Sequence, residues 1–465
     1  MPFLGTTGGA SVKQYGGQAN LGYFIKNSLR TRSSATAYLS RTPATTSNRK
    51  TWTWSGWMKR GTDKYSLLFA AGDVTDIWNT GTNCTLIGYW ISTNQLAVYN
   101  NGTVFRNTAQ VFRDPAAWYH IVVAFDTTQA TAANRLRVYV NGSEVTSWDT
   151  NNAPTQNLDM AVNVNQNHFI GGQSANVANA YFDGYLTEVN FVDGLQLTPS
   201  SFGKTDAVTG QWIPKKFAST YGTNGFYLKF ADASAATAAA IGKDSSPNGN
   251  NWTPNNISIT AGATYDAMID SPTLSAVASN YATLNPLAIA SAFTLSDGNL
   301  NLSGTSSING VSYVKSTLGV SSGKWYWEMI PSNIGGGINF STGIVIATSS
   351  VVSTGTINLV TDGYVYHGDG NKYSGGTSAA YGASYTNNDI IGVALDLDAG
   401  TLVFYKNNAS QGTAYTSLSG TFMPLVGLHT GGTSRTIVSS FNAGQRPFAY
   451  TPPTGFKSLN TFNLP

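Results

Sequence analysis

The run WYHIVVAFDTTQATAANRLRVYVNGSEV at 118–145 decides the fold class. Tyr119, Ile121, Val123 and Phe125 alternate with their neighbours, and Leu136, Val138 and Val140 do the same, a period of two that puts successive side chains on opposite faces of a strand. Asn141-Gly142 follows directly, and both residues tolerate positive φ, so a two-residue primed turn joins antiparallel strands there. The same texture extends outward to TWTWSGWMKR at 51–60 and GYLTEVNFVDG at 184–194. In the first of these, Trp52, Trp54, Gly56 and Met58 share one face, and Thr51, Thr53, Ser55 and Trp57 the other. After Leu300 the pattern resumes in KWYWEMI at 324–330, TGIVIAT at 342–348, DGYVYHG at 362–368, DIIGVALDLDAGTLVFYKNN at 389–408 and MPLVGLH at 423–429. Two sets of short strands predict an all-β chain of two antiparallel sandwiches of jelly-roll type.

The chain of 465 residues is long enough for several cores, and its single cysteine, Cys84, excludes an internal disulfide or a cysteine-based zinc site. Charged residues make up 11%, against about 25% in an average soluble protein, with Ser, Thr, Asn and Gly in their place. No apolar run reaches the length of a membrane span, and the N-terminus lacks the compact apolar stretch of a signal peptide, so a protein made in soluble form without membrane insertion is expected. Charge is unevenly placed. Residues 1–62 carry nine basic side chains and no acidic one, against a net +3 for the whole chain. That basic part is Gly-rich up to residue 28 and reads as an extended attachment arm, with Lys13, Lys26, Arg30 and Arg32 as the residues that would dock on an acidic surface. These cations stand singly and do not interleave with aromatics, so nucleic acid is not an expected partner. The expected organisation is an arm at 1–28, a first sandwich at 29–202, an irregular connector with a few short strands at 203–299, and a second sandwich at 300–465.

Two resemblances rest on these residues. The 118–145 run, HFIGG at 168–172 and FDGYLTEVNFVDGLQLTPSSF at 182–202 resemble a laminin-G-like or concanavalin A-like jelly roll. GKWYWEMI, NNDIIGVALDLDAGTLVFYKNN, FMPLVGL and FNAGQRPF, in that order, are similar to a SPRY domain. Both imply bent two-sheet sandwiches that present ligand loops at a rim. The join LTPSSF, GFYLKFAD and GKDSSPNGNNWTPNN looks like proteins of tailed bacteriophages, and this implies a virion protein.

Chemistry is sparse. Glycan hydrolysis needs two carboxylates about 5–9.5 Å apart across the scissile bond, and no E-x-D-x-E run is present to supply them from one face of a strand. The nearest approach, Asp183, Glu188 and Asp193, sets two of the three beside glycines, as turns do. His120 lies inside an alternating strand and reads as a hydrogen-bonded sandwich residue, and Asp396, Asp398 and Gly400 as a hairpin turn. No cofactor is expected, although Asp73 and Asp76, beside Gly72, form a candidate calcium loop of the kind some laminin-G-like domains carry at the rim. Sugars are held by aromatic faces and by amides, hydroxyls and short carboxylates. Two polar loops offer these: Trp78, Asn79 and Asn83 in DVTDIWNTGTN, and His367, Asp369, Lys372 and Tyr373 in YHGDGNKYSGG.

The expectation is a non-enzymatic virion appendage of a tailed phage, of tail-fibre or adhesin type, that contacts host-surface glycan or protein. Its arm would hold other virion subunits, and a homo-oligomer, with a trimer favoured, would multiply weak rim contacts. A capsid or tail decoration protein that binds only neighbouring subunits is the alternative, and a glycan hydrolase the second.

Overall fold

The computed structural model describes residues 23–61, 66–72, 84–89, 93–173, 180–306, 311–334, 340–349, 353–354, 362–429 and 435–465. It is an all-β protein of two antiparallel sandwiches, and among the described residues the only helical elements are three single turns of 3₁₀ helix.

In the first sandwich, one sheet runs in the order Ser143–Glu144, Leu136–Val140, Trp118–Asp126, Thr51–Arg60, Gly184–Asp193, Ser28–Thr31 and Ala267–Met268. The facing sheet runs Trp148–Asn151, Thr103–Val111, Gln95–Asn100, Thr85–Tyr89, Ser66–Ala71, His168–Ile170, Tyr38–Arg41 and Thr253–Asn255. The hairpin expected at Asn141-Gly142 is present, with φ of 47° and 83°, and the Asn141 side chain accepts from the His120 amide at 2.8 Å. Trp52, Trp54 and Met58 enter the core between the sheets beside Ile121, Val123 and Phe125, as alternation requires. Their counterparts Thr53, Ser55 and Trp57 are also buried, although they point out of the sandwich.

The segment after the first sandwich explains this. Residues 195–225 lie across the outer face of the Thr51–Arg60 sheet, and Phe202, Phe217 and Tyr221, with Tyr227 of the strand that follows, pack on Val122, Tyr139 and Val192 to form a second apolar layer. Thr53 Oγ1 donates to the Leu195 carbonyl at 2.7 Å and accepts from the Leu197 amide at 2.9 Å. Phe226–Leu228 then pairs with Gly184–Asp193, Thr253–Asn255 with Tyr38–Arg41, and Ala267–Met268 with Ser28–Thr31. Residues 203–299 therefore supply strands to both bodies, because Leu284–Ile289 and Phe293–Ser296 already belong to the second sandwich.

That second sandwich has one sheet in the order Leu284–Ile289, Val311–Ser316, Phe422–His429, Phe340–Ile346, Gly363–His367, Asn371–Ser374 and Thr377–Ala380. Its partner runs Phe293–Ser296, Asn301–Ser306, Arg435–Asn442, Lys324–Asn333, Ile391–Asp396, Thr401–Lys406 and Ala409–Tyr415. Trp325, Trp327, Met329, Ile391, Val393 and Leu395 fill the space between them. The same apolar cluster runs on without a break into Ile25, Trp57, Trp118, Tyr185 and Met268 of the first body.

Candidate contact sites and the seam between the sandwiches

Where the two bodies meet, charged groups are buried in pairs. Lys59 Nζ lies 2.9 Å from Asp270 Oδ2 and also donates to Asn280 Oδ1 at 2.8 Å and the Tyr281 carbonyl at 2.9 Å. Trp118 Nε1 donates to the other Asp270 oxygen at 3.1 Å. Burial pushes the Asp270 carboxyl upward against the pull of Lys59. Asp266 accepts from Arg30 Nε at 3.1 Å and from Arg32 Nε at 2.8 Å, and Arg30 also donates to the carbonyls of Ala263, Tyr265 and Asp297. Arg446, from the second sandwich, reaches the same Ala263 carbonyl at 2.9 Å. Its burial, reinforced by the charge of Arg30, lowers its pKa to about 9.

Of the four cations expected on an attachment arm, Lys13 lies outside the described residues, and Lys26 is exposed near the Phe24 ring. Arg30 and Arg32 are placed otherwise: both are buried on Asp266, so they hold the fold together and are not presented to a partner. The sequence shows the cations of residues 1–62, whereas their acidic partners, Asp266 and Asp270, lie more than 200 residues away.

The acids considered for catalysis are each engaged separately. Asp183 accepts from Ser33 Oγ and the Asp297 amide, both at 3.1 Å, and from the Gly298 amide, while burial and then the neighbouring Asp297 charge raise it to about 6. Glu188 sits at φ +50° where the pairing register shifts in Gly184–Asp193, and it accepts from Tyr23 Oη at 2.7 Å and Tyr227 Oη at 2.6 Å. Burial outweighs those hydrogen bonds and pushes its pKa to about 7. Asp193 accepts from Asn163 Nδ2 and the Asn224 amide, both at 3.0 Å. These are three buried structural hubs, not two acids across an open groove.

His120 lies between two indole rings, with centroids 5.0 Å from Trp57 and 6.0 Å from Trp212. Trp212 Nε1 has only a proton to give, so His120 Nδ1 accepts it at 3.0 Å, and Nε2 carries the ring proton toward Ser55 Oγ at 2.8 Å. Burial lowers its pKa to about 3 and keeps it neutral. The Ser–His contact therefore lacks a carboxylate to orient the imidazole, and the ring serves packing.

Of the two candidate sugar loops, Trp78, Asn79 and Asn83 lie outside the described residues, as do Asp73 and Asp76 of the candidate calcium loop. Among the described residues no three His, Cys, Asp or Glu side chains gather at metal-binding distance. The other loop is brought together. His367 Nδ1 lies 3.0 Å from Asp369 Oδ1, and Tyr373 Oη and Asn371 Nδ2 each donate to Oδ2 at 2.9 Å. Burial opposes ionisation of Asp369, but the hydrogen bonds from His367 and Asn371 outweigh it and hold the carboxyl far below its ordinary range. Lys372 Nζ donates to the Ala414 carbonyl at 2.5 Å and lies 5.2 Å from the Tyr415 ring centroid. His367 and Tyr373 thus gather on Asp369, whereas Lys372 turns to Ala414 and Tyr415 of the neighbouring Ala409–Tyr415 strand.

Two shallow clefts had no sequence signal because their walls come from distant segments. One, of about 170 Å³, lies on the outer face of the first sandwich among Gln129, Asn134, Arg137, Tyr139, Gln196 and Thr198. The other, of about 160 Å³, lies on the second between Tyr326, Tyr405, Asn408, Thr451 and Pro453.

Residues 33–201 match the concanavalin A-like lectin/glucanases superfamily, and residues 324–441 match the SPRY domain. Ran-binding protein 10 of Danio rerio is 39% identical over 89 residues, and Ran-binding protein 9 of Homo sapiens 40% over 89 residues. Each match covers 19% of this chain, but only 14% and 12% of those proteins. A probable ATP-dependent RNA helicase ddx1 of Dictyostelium discoideum is 29% identical over 155 residues, 32% of this chain and 18% of its own. Among solved structures, the SPRY domain of human HERC1 matches at 22% identity with a TM-score of 0.31, covering 35% of this chain and 99% of that one. The chain thus carries a concanavalin A-like domain followed by a SPRY domain.

Proposed function

We propose that this protein is a non-enzymatic binding protein, a tail-fibre or adhesin-type appendage of a tailed-phage virion whose two sandwiches act as one rigid frame for contacts with host-surface glycan or protein. The observation that carries the reading is the seam. Lys59–Asp270, Arg30–Asp266–Arg32 and Arg446 are buried between or beside the two bodies, and a single apolar cluster crosses the same boundary. Domains within one chain move relative to each other unless a large apolar interface prevents it, and buried ion pairs raise the cost of separation further. A frame of this kind suits adhesion, because weak surface contacts add only when their geometry allows simultaneous engagement. The resemblance of the join at 197–256 to phage proteins supports the virion setting, and the two domain families support binding over turnover.

Glycan-array binding by the purified chain, together with a tail-tip position on the particle, is the result expected. Silence on every array with a position on the shell would transfer the reading to decoration of neighbouring subunits, and release of reducing ends from host polysaccharide would overturn the non-enzymatic claim.

A further inference from the structure

The apolar cover over the outer face of the first sandwich reaches Tyr139, and at its margin, beside Gln129, Asn134 and Arg137, a cleft of about 170 Å³ opens. We propose that this cleft binds the carboxylate of a uronate-type acidic saccharide, with Arg137 as the side chain that holds it. The inference deepens the glycan-contact reading above and rests on it for the class of ligand.

Arg137 is 37% exposed and is the one charged residue in the cleft lining. Its Nη2 donates to Asn134 Oδ1 at 2.8 Å, which fixes the guanidinium plane. Glu144 lies 3.6 Å from Nη1, beyond hydrogen-bond length, and its side chain is 43% exposed. A pair of that geometry is weak, whereas a carboxylate that meets the guanidinium edge with two parallel hydrogen bonds is strong and directional. The rest of the lining is neutral and held from behind. Gln196 Nε2 donates to the Asn134 carbonyl at 2.8 Å, and Gln129 Nε2 to Asp126 Oδ2 at 2.6 Å. These amides and the Thr198 hydroxyl are groups that bind sugar hydroxyls. The volume is below the roughly 300–1,000 Å³ of drug-sized pockets, so the cleft takes one sugar unit of a longer chain.

Titration of the full chain with trigalacturonate and with its methyl ester tests the proposal, because the ester keeps the ring and loses the charge. The acid is expected to bind at least tenfold tighter, R137Q to abolish that difference, and E144Q to tighten binding of the acid severalfold by removing the competing carboxylate. Both side chains are more than a third exposed, and unchanged thermal unfolding of each variant shows that the fold persists. Equal affinity for acid and ester, an unaffected R137Q, or no binding of the acid at millimolar concentration would overturn the proposal. If neutral glycans bind the protein on an array and trigalacturonate does not, this site fails while the adhesive reading stands. If trigalacturonate binds through Arg137 and the protein is absent from the virion surface, the site stands and the virion reading fails.

Discussion

Lys59 and Asp270 form an ion pair of 2.9 Å in which both side chains are fully buried, and it ties a central strand of the first sandwich to the segment that leads into the second. Removing one partner leaves the other charge in a low-dielectric site, which costs about 3–5 kcal/mol. Lys59→Met and Asp270→Asn are each expected to lose stability of that order in urea unfolding. The Lys59→Met/Asp270→Leu double variant is expected to lose less than the sum. Losses below about 1 kcal/mol for both single variants would show that the pair is not a tie.

Gly142 occupies φ +83°, and a Cβ there would lie 2.4 Å from the Trp212 ring. Gly142→Ala is therefore expected to lift the hairpin Gly203–Thr205/Trp212–Pro214 from its seat as well as strain the turn, at roughly 1–3 kcal/mol. Limited proteolysis reads the first effect as faster cleavage between residues 203 and 215. An unchanged cleavage rate would contradict the seating of Trp212.

Freed from that seat, His120 would meet water. Trp212→Ala is expected to raise the His120 pKa from about 3 toward its ordinary 6.5, a shift that NMR titration of the ring measures directly. A histidine that stays neutral down to pH 4 in the variant would mean that Trp57 and Phe202 alone exclude solvent.

Glu188 binds its proton more tightly folded, at about 7, than unfolded, near 4.5. Its contribution to stability is thus full below pH 4.5 and is lost as pH rises through 7, by roughly 3 kcal/mol at most. His120 and His168, lowered by burial to about 3 and about 4, act in the opposite direction, since their unfolded forms take up protons first as pH falls below 6.5. The clean measurement is the difference between Glu188→Gln and the unaltered protein, in which the histidines cancel. The variant is expected to gain relative stability between pH 5 and 8, and a flat difference would contradict the assignment.

Asp369 holds the His367–Tyr373 turn, so Asp369→Asn is expected to cost about 1–3 kcal/mol, the range for a charge-assisted hydrogen-bond hub. Tyr373→Phe removes one of those bonds at about 1 kcal/mol. Both are expected to leave trigalacturonate binding at the Arg137 cleft unchanged, and a loss there would mean that the two sandwiches share one ligand surface.

The strands were legible because alternation and turn chemistry are local. Asn141-Gly142 announces a hairpin, and Trp52, Trp54, Trp325 and Trp327 lie in strands and are buried as that pattern requires. The irregular 203–299 segment was harder to read. Its Gly, Pro and Asn punctuation marks loops, yet Trp212, Phe217 and Tyr221 pack those loops over a sheet face that alternation alone would assign to solvent. Arg30 and Arg32 illustrate the same limit for charge: composition shows that a residue is basic, and only the tertiary fold shows that Asp266 neutralises it. The Arg137 cleft combines the Ala132–Asn134 turn, the Leu136–Val140 strand and the loop at Gln196–Thr198, so no single window of sequence contains it.

The rigid frame is the central claim, and the distance between spin labels on the two bodies tests it most directly. Val208 on the first is 61% exposed, Ala379 on the second lies on an exposed strand, and the one native cysteine, Cys84, is buried. Double electron–electron resonance on Val208→Cys/Ala379→Cys is expected to give a single narrow distribution that stays narrow until global unfolding. A broad or two-peaked distribution under native conditions would show that the sandwiches swing independently, and the account would be wrong.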